Sequence, residues 1–275
     1  MSEITVTPLG TVSPYCKDNM NCPGFLIEKD GKNILLDCGS GITRLLNLPK
    51  DLENLIIIIS HLHKDHYSDL ASIGYASYVY KNLGYLCDRI KVYIPSGDTK
   101  LVNESYKGPD GWPYSRTVHK PISDFEYLMN FGDENNLEFL TYDAKTKIIH
   151  GDMEINFEIN PHQIKTYSTK ILTDCGSVVY SSDTGYKNNC LTKFAKDVDL
   201  LICESTFLKG QLKNGDNHLY AHEAALIASS ANVKKLVLTH FFPEINKQRY
   251  VEEAKEIFPN TEATVEGKKL ILRRK

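Results

Sequence analysis

Residues 60–70 read SHLHKDHYSDL and follow the apolar run LIIII of residues 55–59. A continuous apolar run of this length suits a strand buried on both faces. Directly after it stand His61, His63, Asp65 and His66, four metal-seeking side chains within six positions. Residues two apart on an extended backbone point the same way, so His61 and His63 are placed to grip one cation together. Asp65 and His66 sit past the bend and can face a neighbouring site.

The same arrangement recurs along the chain. Asp37 follows ILL, His162 follows INFEINP, Asp183 follows VVYSS, Glu204 follows LLIC and His240 follows LVLT. In packed α/β architectures, ligands gather beyond strand ends, where rigid backbone delivers side chains to a cleft. A single histidine after a strand is more often a satisfied surface or core residue. The cluster at 61–66 changes that weighting, because a metal site there needs a further histidine and a bridging acid from distant strands. Imidazole nitrogen and carboxylate oxygen are zinc donors, and a carboxylate such as Asp183 can hold two cations about 3.5–4 Å apart. Asp37 has two readings: it orients a ligand, or it begins the DCGSG turn.

The chain has 275 residues, enough for one large core, with 41% hydrophobic and 24% charged residues. Its formal net charge of −3 gives no general attraction to nucleic acid or acidic membranes. The opening residues MSEITVTPLG show no basic or apolar leader pattern, and no apolar run is long enough to span a bilayer, so a cytoplasmic protein without membrane partners is expected. Seven cysteines form no CxxC pair; Cys16 and Cys22 could be clipped together, though free thiols suit a cytoplasmic chain.

Strands are predicted at ITVTPLG, at GFLIEKDGKNILLDCGSG as a hairpin turning at Asp30-Gly31, at LIIIIS, KVYIPSG, MEINFEI, KILTD, SVVYSSD, DLLICEST and KLVLTH, with KKLILRR closing. Helices are predicted from Tyr67 to about Leu86 with Leu70, Ile73, Tyr78 and Val79 apolar, at LTKFAKDV, at HEAALIASSANV and at VEEAKEIF. Residues from about 100 to 145, containing KGPDGWPYSRTVHKP, read as an inserted loop with a short helix at DFEYLMNF. Mixed strands and helices in this order suggest sheets inside helical layers, with two similar halves.

HLHKDH matches the HxHxDH signature of the metallo-β-lactamase superfamily, and LLDCGSG, His162, SSDTG and THF match its other motifs in order. VVYSSDTG, DLLICESTF and NHLYAHEAALIASSANVKKLVLTHF resemble its ribonuclease Z-like branch. The resemblance implies an α/β fold, the αββα four-layer sandwich, in one domain over residues 1–275 with the insertion at about 100–145. It places His61, His63 and His162 on one zinc and Asp65, His66 and His240 on a second, with Asp183 bridging; manganese or iron are alternatives. It pairs Glu204 with His218 to protonate a departing alkoxide, while Asp65 also orients the nucleophile.

There are departures. The tRNA-processing members carry a long arm between the third histidine and the bridging aspartate; here only HQIKTYSTKILTDCGSVVYSSD spans His162 to Asp183. The branch's H-S-T becomes His218-Leu219-Tyr220. The expected function is therefore a dinuclear metal-dependent hydrolase, foremost a phosphodiesterase on a small nucleotide-like or cyclic phosphodiester. A ribonuclease Z-type RNA-processing enzyme, an acyl hydrolase for lactones or thioesters, and a metal-stabilised binding protein are the alternatives. Tyr75, Tyr78, Trp112 and Tyr114 are candidates for a base-stacking wall, and a homodimer is the branch expectation.

Overall fold

The apolar run at 55–59 lies between two layers. In the computed structural model, which describes residues 2–86, 88–97, 99–121, 128, 131–132, 135–187, 189–212 and 215–273, β4 (Leu55–Ile58) sits inside a sheet. Ile56 and Ile58 point into the core shared with a second sheet, while Ile57 and Ile59 pack beneath a helix. Burial on both faces explains why the run lacks polar alternation.

The first sheet is ordered β16 (Leu270–Leu272), β1 (Ile4–Gly10), β2 (Gly24–Lys29), β3 (Lys32–Leu36), β4, β5 (Ile90–Pro95) and β8 (Leu137–Tyr142). Its β3–β4–β5–β8 half is parallel, and the other half is antiparallel. The second sheet runs β15 (Thr261–Ala263), β14 (Lys235–Thr239), β13 (Leu200–Glu204), β12 (Ser177–Tyr180), β11 (Tyr167–Leu172), β10 (Met153–Ile159) and β9 (Ile148–His150). It repeats the design, with β12 to β15 parallel and β9 to β12 antiparallel.

The sheets meet through Phe25, Ile27, Ile34, Ile155, Phe157, Ile171, Val178 and Ile202. Helix α1 (Leu70–Asn82) covers the outer face of the first sheet through Leu70 and Ile73. Helices α2 (Cys190–Phe194), α3 (Ala221–Ser230) and α4 (Lys247–Lys255) cover the second through Leu191, Ala224, Ala228, Tyr250 and Ala254. These layers are the expected αββα sandwich. Among the described residues, no helix is long and apolar enough to cross a membrane.

The hairpin turn falls where expected, with Asp30 at φ 46° and Gly31 at φ 74°, the left-handed pair that tightly turned strands favour. Helix α1 is shorter than expected, and Tyr78 is 46% exposed; Gly74 and Ser77 occupy the buried stripe instead. The stretch read as an inserted loop is a two-stranded ribbon, β6 (Thr99–Lys107) with β7 (Pro113–Pro121), in register from Thr99↔Pro121 to Lys107↔Pro113. Pro109 lies in the turn between the strands, and Pro113 and Pro121 sit at the ends of β7, in a ribbon where each strand has a free edge, so they cost no ladder bonds. The chain is back in the first sheet by Leu137, before the end of the expected insertion. Most of DFEYLMNF lies outside the described residues; Leu128 within it is buried beside α1.

Candidate metal centre

In each sheet the parallel strands end at a common edge, and the polar residues of interest lie just past those ends. After β4 the chain stays extended to His63 (φ −80°, ψ 145°), then a single turn of 3-10 helix, Lys64–His66, reverses it. That turn is what separates the two pairs of side chains. Asp37, Ser182 and His240 follow β3, β12 and β14 in the left-handed region, at φ 58°, 52° and 61°. Each costs about 1–3 kcal/mol of backbone strain, a pattern found where a side chain must be aimed.

Two donor sets result. His61 Nε2 lies 3.0 Å from His63 Nδ1 and 3.5 Å from Asp183 Oδ2. His162 Nε2 lies 3.2 Å from the same His63 nitrogen and 3.7 Å from the same Asp183 oxygen. On the other side, Asp183 Oδ1 lies 3.4 Å from His66 Nε2 and 3.0 Å from His240 Nε2. Asp65 Oδ2 stands 3.6 Å and 3.8 Å from those two nitrogens. All seven residues singled out as ligands therefore converge, and Asp183 turns one oxygen to each set.

The fit to a cation can be tested on these atoms. Asp183 Oδ1, His66 Nε2 and His240 Nε2 are buried and have no hydrogen-bond partner among the described residues. A buried polar atom left unpaired costs about 1–3 kcal/mol. Three such atoms facing one point fit a divalent cation. Burial pushes His61 well below the usual histidine range and His63 down to about 4, which leaves their lone pairs free for a metal. His66 goes the other way: burial opposes its charge, but Asp183, Asp37 and Asp65 outweigh it and raise it well above the usual range. The same carboxylate field that favours a proton there favours a metal ion.

The outward nitrogens of His66, His162 and His240 are held. His66 Nδ1 lies 2.7 Å from Asp37 Oδ2, which also accepts from Ser60 Oγ (2.9 Å) and Tyr180 OH (2.7 Å). Asp37 Oδ1 accepts from the Ser60 amide. Asp37 thus fulfils both readings, beginning the turn and orienting a histidine. His162 Nδ1 donates to the Asn217 carbonyl at 2.8 Å, and His240 Nδ1 lies 2.8 Å from Thr206 Oγ1. A proton on the outer nitrogen leaves the inner one bare for metal. Replacing Asp37 with alanine is expected to strand Tyr180, Ser60 and His66 without their acceptor. Loss of several kcal/mol in unfolding free energy follows at about 1–3 kcal/mol per group, and cation affinity falls about 10–100-fold. Thermal unfolding of the metal-free protein and metal titration check the two effects separately.

Glu204, buried at the end of β13, lies 3.0 Å by its Oε1 from His218 Nδ1. Thr206 Oγ1 donates to the other oxygen at 2.9 Å and so links the pair to His240. His218 stacks on His240 (centroids 5.4 Å, 20°), with its Nδ1 4.0 Å from Asp183 Oδ2. Burial opposes its charge, yet Glu204 and Asp183 lift it to about 9. The His218 side chain is 24% exposed against 1% for Glu204, so the imidazole faces outward and the carboxylate backs it.

Sequence reasoning gave no role to Thr206, Ser60 or Tyr180; Thr206 stands inside the ESTF motif, and the other two had no signal beyond hydroxyls at strand ends. The candidate stacking residues lie on two elements. Tyr75 stacks on Tyr78 along α1, Tyr114 stacks on Tyr106 in the ribbon, and Trp112 is 70% exposed at the ribbon's turn. Cys16 and Cys22 are free thiols with sulfurs 3.8 Å apart.

Residues 4–261 match a family model described as anti-Pycsar protein Apyc1. The chain belongs to that family. It is 26% identical to the probable metallo-hydrolase YhfI of Bacillus subtilis, over 92% of this chain and 93% of the other. The crystal structure of YhfI, described as a metallo-β-lactamase fold protein, superposes with a TM-score of 0.80 over 98% of this chain and 100% of that one. Ribonuclease Z of Clostridium perfringens is 26% identical over 98% of both chains. A diphosphatase from the PhnP family superposes with a TM-score of 0.69 at 16% identity over the whole of both. The fold is that of the metallo-β-lactamases, as the motifs implied.

Proposed function

We propose that this protein is a dinuclear metal-dependent phosphodiesterase that opens a small diester such as a cyclic nucleotide. One observation carries the reading: a buried carboxylate, Asp183, turns separate oxygens to two donor sets, with the Glu204–His218 pair alongside. His61, His63, His162 and Asp183 would hold one cation, and Asp65, His66 and His240, with Asp183, would hold the other. Nitrogen and oxygen donors in this mixture suit zinc, and manganese or iron accept the same set. When bound, the metal pair supplies Lewis acidity toward the phosphoryl oxygens and an acidified water.

The chain's own groups do the rest. Asp65 accepts a hydrogen bond from the attacking water and orients it. His218 gives the proton on its outward nitrogen to the departing alkoxide, while Glu204 holds the other nitrogen and stabilises the imidazolium. Substrate size follows from what surrounds the site. β11 and β12 are joined by a short turn at residues 173–176, with no arm to hold a folded RNA, and the net charge is −3. A second reading, RNA processing, has the support of relatives named ribonuclease Z. A thioester hydrolase is disfavoured because a proton donor of the Glu204–His218 kind answers an alkoxide leaving group rather than a thiolate; a lactone also expels an alkoxide, and the substrate panel separates it.

The test is elemental analysis of purified protein followed by a substrate panel of 3′,5′-cyclic nucleotides, bis-p-nitrophenyl phosphate, a tRNA precursor and a lactone. Two cations per chain and turnover of cyclic nucleotides are expected. Lactone turnover without diester turnover would overturn the reading, and cleavage of the tRNA precursor alone would favour the second.

A further inference from the structure

We propose that Ser13 is the positioning residue of Asp65 and, through it, of the second cation; this rests on reading Asp65, His66 and His240 as that cation's ligands. The Ser13 hydroxyl donates to Asp65 Oδ2 at 2.7 Å. That oxygen is the one that faces His66 Nε2 and His240 Nε2, at 3.6 Å and 3.8 Å. Asp65 rides on a single helical turn and its side chain is 12% exposed, so its own surroundings restrain it less than the fully buried Asp37 or His66. A hydrogen bond from a buried hydroxyl to a carboxylate is charge-assisted, and it selects one rotamer out of several.

Ser13 is itself fixed from two directions. Its amide donates to the Phe241 carbonyl at 3.0 Å, and the Phe241 amide donates to the Thr11 carbonyl at 3.0 Å. Val12 pairs alongside Phe241, and both are fully buried in the core beneath α3 and α4. The residue before Phe241 is His240. One short parallel pairing therefore delivers Ser13 from the N-terminal segment and His240 from the end of β14 to the same cation site. Behind it, Thr11 and Val12 both donate to the Asn21 carbonyl. Glu266 in turn accepts from the Asn21 amide at 2.7 Å and from Thr11 Oγ1 at 3.2 Å. Ser13, at 5% exposed, is thus a built part of the site wall.

The consequence is asymmetric. His61, His63 and His162 owe nothing to Ser13, so the first cation should be indifferent to its loss. The second should not, because a carboxylate freed to rotate must be ordered again on binding.

The experiment is a calorimetric titration of Zn²⁺ into metal-free full-length protein for the wild type, Ser13→Ala, Ser13→Thr and Ser13→Val. The melting midpoint of each metal-free form is measured alongside. Ser13→Ala is expected to keep the first binding step and to weaken the second about 10–100-fold. Ser13→Thr keeps the hydroxyl and should stay close to wild type, whereas Ser13→Val, of the same shape, should resemble alanine. Bis-p-nitrophenyl phosphate turnover by Ser13→Ala should recover at saturating Zn²⁺, since the group positions a ligand and does not touch the substrate. Two wild-type-strength binding steps in Ser13→Ala, or equal loss in Thr and Val variants, would overturn the proposal. A wild type that takes up no second equivalent would instead overturn the two-cation reading beneath it.

Discussion

Replacing Asp183 with asparagine is expected to empty both cation sites at once. The carboxylate gives Oδ1 to the His66–His240 side and Oδ2 to the His61–His162 side, and it is 2% exposed. Asparagine keeps the shape but offers one neutral oxygen, and its NH₂ group cannot serve as a ligand. The charge matters as much as the atoms. Burial alone would raise the Asp183 carboxyl, yet the surrounding histidines, His240 and His66 foremost, hold it well below the usual carboxylate range. It therefore favours the ionised form and offers a counter-charge to bound cations. Without it, the remaining donors on the first side are neutral imidazoles, and only Asp65 carries charge on the second. Elemental analysis should show well under one equivalent where the wild type holds two. Diester turnover should fall by about 10³–10⁴-fold, as expected when a unit that acts together is broken. Retention of both cations in this variant would remove the bridging role.

The second large effect is His218→Ala. Here metal content should remain full: His218 lies close enough to Asp183 and His240 to form a third donor group with them, but its Nδ1 is engaged by Glu204 at 3.0 Å and stands 4.0 Å from Asp183 Oδ2. Turnover of a diester with an alkoxide leaving group should fall about 10²–10⁴-fold, the usual range for a lost general acid. The leaving group decides the size of the loss. A ribose oxygen must be protonated as it departs, whereas p-nitrophenolate is stable without a proton. Cyclic nucleotide turnover should therefore suffer far more than turnover of bis-p-nitrophenyl phosphate. Equal losses on the two substrates would assign His218 to binding or folding instead. Glu204→Gln should show the same selectivity in milder form, since it leaves the imidazole in place and removes only its charge partner at 3.0 Å.

Much of this site was legible from local spacing. HLHKDH after an apolar run announces two pairs of donors with a bend between them, because a strand's period of two and a turn are both local properties. The strand-end positions of Asp37, His162, Asp183, Glu204 and His240 were legible for the same reason. Local signals also misled. Prolines at 109, 113 and 121 suggested a loop, yet the segment pairs with itself, because a proline at the edge of a ribbon gives up no bond. Tyr78 fell on the wrong side of α1, since Gly74 and Ser77 carry no hydrophobic signal but fit where the helix approaches its neighbours.

The sequence by itself determined which donors exist, the strands that end in them, and the apolar faces that force two sheets together. Only the tertiary structure decided that Asp183 divides its oxygens between two sets, that Asp37 holds His66, that Thr206 joins Glu204 to His240, and that Ser13 holds Asp65 across 52 residues of chain. The physical reason is that these contacts join residues past the ends of different strands, some within one sheet and some across the two. Their separations follow from sheet order and face-to-face packing, sums over many apolar contacts far from the site, which no spacing along a single strand encodes.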